Sequence, residues 1–98
     1  MERIPIVHLY AQYQWHDDAY ILANREGLLA LQKVIAEALE KGHGSAEAFV
    51  GDGEGFSIRV AVKDEDLPAW REVAVPYFSD AACEKNAKAL WPWDLWRE

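Results

Sequence analysis

Residues 24–42, NREGLLALQKVIAEALEKG, carry the clearest structural signal in this 98-residue sequence. The side chain of Asn24 can cap the start of a helix, and Glu26 places negative charge in its first turn. Apolar side chains then recur at helical spacing, at Leu28, Leu31, Ile35 and Leu39. Gly42 can adopt the left-handed conformation that ends a helix. The stretch therefore predicts a helix from Arg25 to Lys41.

Two pairs of extended segments flank this helix. Before it, Ile4 to Tyr13 alternates between two faces, and Ala19 to Ala23 is β-prone, so the two segments predict an antiparallel hairpin. After it, Ala46 to Val50 and Phe56 to Lys63 form the arms of a second hairpin. The glycine-rich residues 51–55 between these arms tolerate the positive φ angles of a tight turn.

The rest of the chain predicts one more helix, which Ser79 can cap and Pro92 stops. The resulting order ββαββα indicates an α+β fold: a four-stranded, mainly antiparallel sheet with helices on one face. Residues 1–98 fall within the size of a single domain. The Trp-rich segment 91–98 is expected to pack on that domain, because free tryptophans would promote aggregation.

The net charge of −7 restricts the classes of partner. Nucleic-acid binding needs clustered Lys and Arg, so no nucleic-acid partner is expected, whereas a basic protein would be complementary. No stretch approaches the roughly 20 apolar residues of a membrane span, and the first residues lack the features of a signal peptide. A lone cysteine, Cys83, rules out a disulfide within the chain and fits a reducing compartment. We therefore expect a cytoplasmic protein that does not enter membranes.

No motif for hydrolase or metalloprotease chemistry occurs, so the chain is expected not to be an enzyme and to use no cofactor or metal. One alternative depends on the grouping of His16, Asp17 and Asp18, with His8 nearby in the first strand. Imidazole and carboxylate groups can bind a metal or transfer protons. This alternative is a small metal- or metabolite-binding protein or enzyme. The competing interpretation is a hairpin turn, in which Asp side chains bind their own backbone.

Two groups of residues are typical of a protein-binding surface. One is an acidic loop, formed by Asp64, Glu65 and Asp66. The other is a set of tryptophans, a residue type enriched in binding hot spots, at Trp70, Trp93 and Trp96. An open sheet edge could also pair two copies, so the chain is expected to be a monomer or a weak homodimer.

The segments NREGLLAL, residues 24–31, and DGEGF, residues 52–56, share an outline with known sequences. A strand, an Asn-capped helix and an Asp-Gly-Glu-Gly hairpin resemble a set of small uncharacterised bacterial proteins. That set is similar to predicted immunity proteins of polymorphic-toxin systems, and the resemblance covers roughly residues 19–62. It implies a protein that binds and neutralises a cognate toxin without catalysis. It transfers no binding residues. We therefore expect a non-catalytic, immunity-like binding protein of the bacterial cytosol.

Overall fold

The computed structural model describes residues 4–81 and 88–94 of the chain. Its elements, in order, are strands β1 (Val7–Tyr10) and β2 (Tyr20–Ala23), helix α1 (Arg25–Lys41), strands β3 (His43–Phe49) and β4 (Gly55–Ala61), helix α2 (Leu67–Trp70) and a 3-10 helix (Pro92–Asp94). Both predicted hairpins are therefore present. The predicted helix after Ser79 falls largely on residues 82–87, outside the described residues, and residues 80, 81 and 88 beside them form turns.

Helix α1 begins and ends where the sequence predicted. The Oδ1 atom of Asn24 accepts the Gly27 N–H at 2.7 Å and the Ile6 N–H at 3.0 Å. Its Nδ2 atom donates to the carbonyl of Ile4 at 2.9 Å. Gly42 has φ +94° and donates its N–H to Ala38 at 2.8 Å. One side chain thus caps the helix and fixes the residues before β1 against it.

The core lies between α1 and the β3–β4 hairpin. Its buried cluster is Val7, Leu31, Val34, Ala48 and Ile58. Gly44 allows β3 to approach the helix closely, because a Cβ atom there would lie 2.8 Å from the Val34 carbonyl oxygen. The buried side of α1 consists of Gly27, Leu31, Val34 and Ala38. Of the four apolar residues whose spacing predicted the helix, only Leu31 is buried.

The predicted four-stranded sheet is wrong. The strands form two separate two-stranded antiparallel sheets, β1–β2 and β3–β4. Within the described residues a single parallel bridge, Ile6 to Phe49, connects them, with the Phe49 N–H donating to Pro5 at 2.9 Å. Phe49 is the last residue of β3, and the chain then turns back. Strand β1 therefore extends past the end of β3, where no β3 residue remains to continue the ladder.

The predicted element order also needs correction. After β4 comes the short helix α2, whose first turn contains Pro68, in a segment where no helix was predicted before Ser79. The α+β class holds, and α1 packs on the β3–β4 sheet.

Ser79 is buried and donates its N–H to Tyr13 at 2.9 Å. This bond, with the edge-on contact of the Phe78 and Tyr13 rings, ties the C-terminal part of the chain to the segment after β1.

The separation of the two sheets leaves the β1–β2 hairpin exposed on both faces beyond Val7, which is buried in the core. Leu9 and Ile21 are exposed on one face, and Tyr20 and Leu22 on the other. The Cα radius of gyration is 15.0 Å, compared with about 13 Å for a compact chain of this length. Within residues 4–81 and 88–94, no helix combines the length and apolar character that crossing a membrane requires.

Candidate protein-binding site

A cleft of about 850 Å³ lies beside the end of β4. One wall is formed by residues 59–61 of this strand, and residues 62–65 after the strand continue it. The other wall is formed by Trp70 at the end of α2, Val73 after this helix, and Pro92 and Trp93 of the C-terminal segment. The structure therefore brings together four of the six residues predicted for protein binding, Asp64, Glu65, Trp70 and Trp93. Trp96 lies outside the described residues.

The acidic loop is positioned by the start of α2. Asp66 occupies the residue before the helix, with extended backbone angles and no capping hydrogen bond from its side chain. Because α2 is only four residues long, it places Trp70 close to the loop. Glu65 accepts a hydrogen bond from the Lys63 ammonium at 2.6 Å. The cleft thus carries charges of both signs, with Asp64 outside this ion pair.

The tryptophan wall is held by short backbone contacts. Leu90 accepts a hydrogen bond from Ala74 at 2.7 Å and donates one to Glu72 at 2.6 Å. The Asp94 carboxylate accepts the Trp91 N–H at 2.9 Å, and the Trp91 and Trp93 rings stack 5.2 Å apart. Trp93 nevertheless remains 70% exposed. Since residues 95–98 lie outside the described residues, the packing of segment 91–98 on the domain stays a prediction.

One edge of β4 faces away from β3. The Val62 N–H donates to Gly42, and the antiparallel register pairs Val60 with Gly44 and Ile58 with Ala46. Antiparallel strands alternate the direction of their backbone groups, so the even-numbered residues bond to β3 and the odd-numbered ones point the other way. No further strand pairs with this edge in the described part of the chain. The cleft therefore borders outward-facing backbone donors and acceptors.

His8, the first residue of the alternative site, has a structural contact. Its Nε2 atom accepts the Gly51 N–H at 2.9 Å. In a neutral ring the proton is then on Nδ1, which lies 2.7 Å from the Tyr10 hydroxyl. His8 thereby joins β1 to the turn between β3 and β4. The glycine-rich turn, which the sequence indicated only as a loop, is fixed by this imidazole.

His16, Asp17 and Asp18 lie in the turn between β1 and β2. His16 has φ +67°, and the Asp17 N–H donates to Gln14 at 3.3 Å. Asp18 accepts a hydrogen bond from the Tyr20 hydroxyl at 3.5 Å. Within residues 4–81 and 88–94 there is no group of three or more His, Cys, Asp or Glu residues that could hold a metal ion. The metal- or metabolite-binding alternative stays a prediction without a site of this kind.

Comparison with known proteins found no matching family model, curated protein or solved structure. The resemblance to predicted immunity proteins therefore still rests on residues 24–31 and 52–56 alone.

Sequence reasoning identified the acidic loop, the tryptophans and the strand Phe56 to Lys63, but not which edge of this strand stays open. The clean alternation from Phe56 to Lys63 showed that one face is buried, yet it carried no information about which edge pairs. The pairing of Leu90 with Glu72 and Ala74 had no local signal either. The cleft results from the unpaired edge of β4 and from the pairing of Leu90 with Glu72 and Ala74.

Proposed function

We propose that this chain is a non-catalytic binding protein of the bacterial cytosol that holds an extended, basic segment of a partner protein in the cleft beside β4. The observation that carries the proposal is the juxtaposition in one cleft of an open strand edge, the exposed indole of Trp93 and the carboxylates of Asp64 and Glu65. An immunity-like inhibitor of a toxin is the specific form that the sequence resemblance supports.

Each part of the cleft has a separate role in this proposal. The outward backbone groups of β4 form main-chain hydrogen bonds with an added strand, which provide affinity largely independent of sequence. The indoles of Trp70 and Trp93 supply large rigid contact area, typical of hot spots. The acidic loop, in a chain of net charge −7, selects basic partners and accelerates their association.

The test is affinity capture from the native host with the full chain as bait. The variant Asp64→Asn with Glu65→Gln neutralises the loop, and Glu47→Gln with Glu54→Gln neutralises two exposed carboxylates elsewhere, so that both variants carry the same net charge. We expect the wild-type chain to retain a basic protein that salt releases. Loss of the loop charges should weaken binding about tenfold, or 1.4 kcal/mol, by isothermal titration, whereas the control should bind as wild type.

Two results would contradict the proposal. One is the recovery of no basic protein at low salt. The other is equal weakening by both double variants, which would show that the overall charge of the chain matters and the loop does not.

A further inference from the structure

The cleft beside β4 already contains a cation of the chain itself at its loop end. Lys63 lines the cleft, and its side chain is only 12% exposed. Its ammonium donates to Glu65 at 2.6 Å, where the Glu65 side chain is 63% exposed. Asp64 lines the same end but stays outside this ion pair. Asp64 is therefore the carboxylate that remains for a cation from outside.

The indole of Trp93 contributes an aromatic surface to the same cleft. Trp91 stacks on one side of this indole, with the ring planes 3° and the centroids 5.2 Å apart. Trp91 does not line the cleft, whereas Trp93 does and remains largely exposed. The cleft therefore meets the part of the Trp93 indole that Trp91 leaves uncovered. The face of a tryptophan ring attracts cations more strongly than the face of any other aromatic side chain.

Lysine and arginine side chains of a partner differ in how they use such a site. An ammonium is a compact and strongly hydrated point charge. A guanidinium is planar and weakly hydrated, so it can stack on an indole while two of its N–H groups bond one carboxylate. Guanidinium groups are also the more frequent partners of aromatic rings in proteins. A carboxylate next to an exposed indole therefore favours arginine.

We propose that the loop end of the cleft is an arginine subsite, in which a guanidinium of the partner segment stacks on Trp93 and pairs with Asp64. Lys63 keeps Glu65 occupied, so a single carboxylate is available there. This proposal rests on the proposed function, since it specifies which basic side chain the cleft accepts. Arg59, the other cation that lines the cleft, precedes Lys63 by four residues, about 13 Å along an extended chain.

The first test compares two capped hexapeptides, one of alternating valine and arginine and the other of alternating valine and lysine. Their binding to the full chain is followed at low salt by NMR, through the indole N–H signal of Trp93. We expect the arginine peptide to bind at least about fivefold more tightly, the usual contribution of one stacked cation.

Trp93→Leu should remove this preference and leave the affinity for the lysine peptide unchanged, with binding then followed through the backbone amides. Because the indole is exposed, the fold should tolerate the change. The control is Trp15→Leu, an exposed tryptophan outside the cleft, which should keep the preference.

The outcomes separate this proposal from the proposed function. Equal affinities of the wild-type chain for the two peptides, or a preference that survives in Trp93→Leu, would overturn the arginine subsite alone. Binding of neither peptide at millimolar concentration would contradict the proposed function as well.

The second test concerns Lys63. Lys63→Met keeps an apolar stem and removes the ammonium, so Glu65 becomes a second free carboxylate. Both peptides should then bind several-fold more tightly than to the wild type. Lys33→Met, at an exposed position of α1, changes the net charge of the chain equally and should have a smaller effect. No tightening by Lys63→Met, or the same tightening by Lys33→Met, would refute the role of Lys63.

Discussion

At the residue scale, Asn24 connects two parts of the fold through its side chain. Its side chain makes three hydrogen bonds, to Ile4, Ile6 and Gly27. Two of these satisfy backbone N–H groups that would otherwise lie partly buried without a partner. The residue therefore couples the start of α1 to the segment that leads into β1.

We predict that Asn24→Ala lowers the free energy of unfolding by about 2–3 kcal/mol, the sum of a lost helix cap and an unsatisfied backbone donor. Asn24→Asp is the matched control, because it keeps the acceptor oxygen and removes only the donor to Ile4. It should cost less than half as much. Urea unfolding monitored by circular dichroism measures both values. An equal loss of unfolding free energy in the two variants would show that the helix cap is not the main contribution of Asn24 to stability.

At the scale of elements, the contact between α1 and β3 determines how the core packs. Gly44 lies under the helix, where an added Cβ atom would also lie 2.9 Å from the Cβ atom of Glu37. This distance is shorter than real carbon contacts, so the helix and the strand would have to separate. The pair cannot separate without disturbing Val34 and the core around it.

Gly44→Ala is therefore expected to destabilise the fold by about 1–3 kcal/mol, the usual effect of overpacking. Ser45→Ala, one residue along the same strand on its exposed face, should change stability by less than about 0.5 kcal/mol. Thermal unfolding of the two variants measures both changes in stability. A Gly44→Ala variant as stable as the wild type would mean that α1 does not approach β3 this closely.

The elements also show what sequence alone can predict. Both ends of α1 were predictable, because an Asn cap and a glycine in the left-handed conformation act within a few residues of the helix. The two hairpins were predictable for the same reason. The division of the strands into two sheets was not predictable. It depends on where β3 ends relative to Ile6, which is far away in the chain. Alternation within a strand does not specify which strand lies at its edge.

At the scale of the whole molecule, the open edge of β4, the acidic loop and Trp70 meet in one cleft. The sequence alone singled out the acidic loop and Trp70 as candidates, because charge and residue type suggest binding. Their placement beside a strand edge was not predictable, since it depends on the short helix α2 and on the pairing of Leu90 with residues 72 and 74.

The account predicts that a partner segment adds to β4 as a strand, and amide hydrogen exchange of the full chain tests this most directly. In the free chain, Ile58 and Val60 should already be protected by their bonds to β3. On binding the captured basic partner, the amides of Ser57 and Ala61 should become protected at least about tenfold, because their N–H groups lie on the edge of β4 that faces away from β3. This alternating gain is the predicted result. Binding that leaves Ser57 and Ala61 unchanged and protects other surfaces instead would contradict the account.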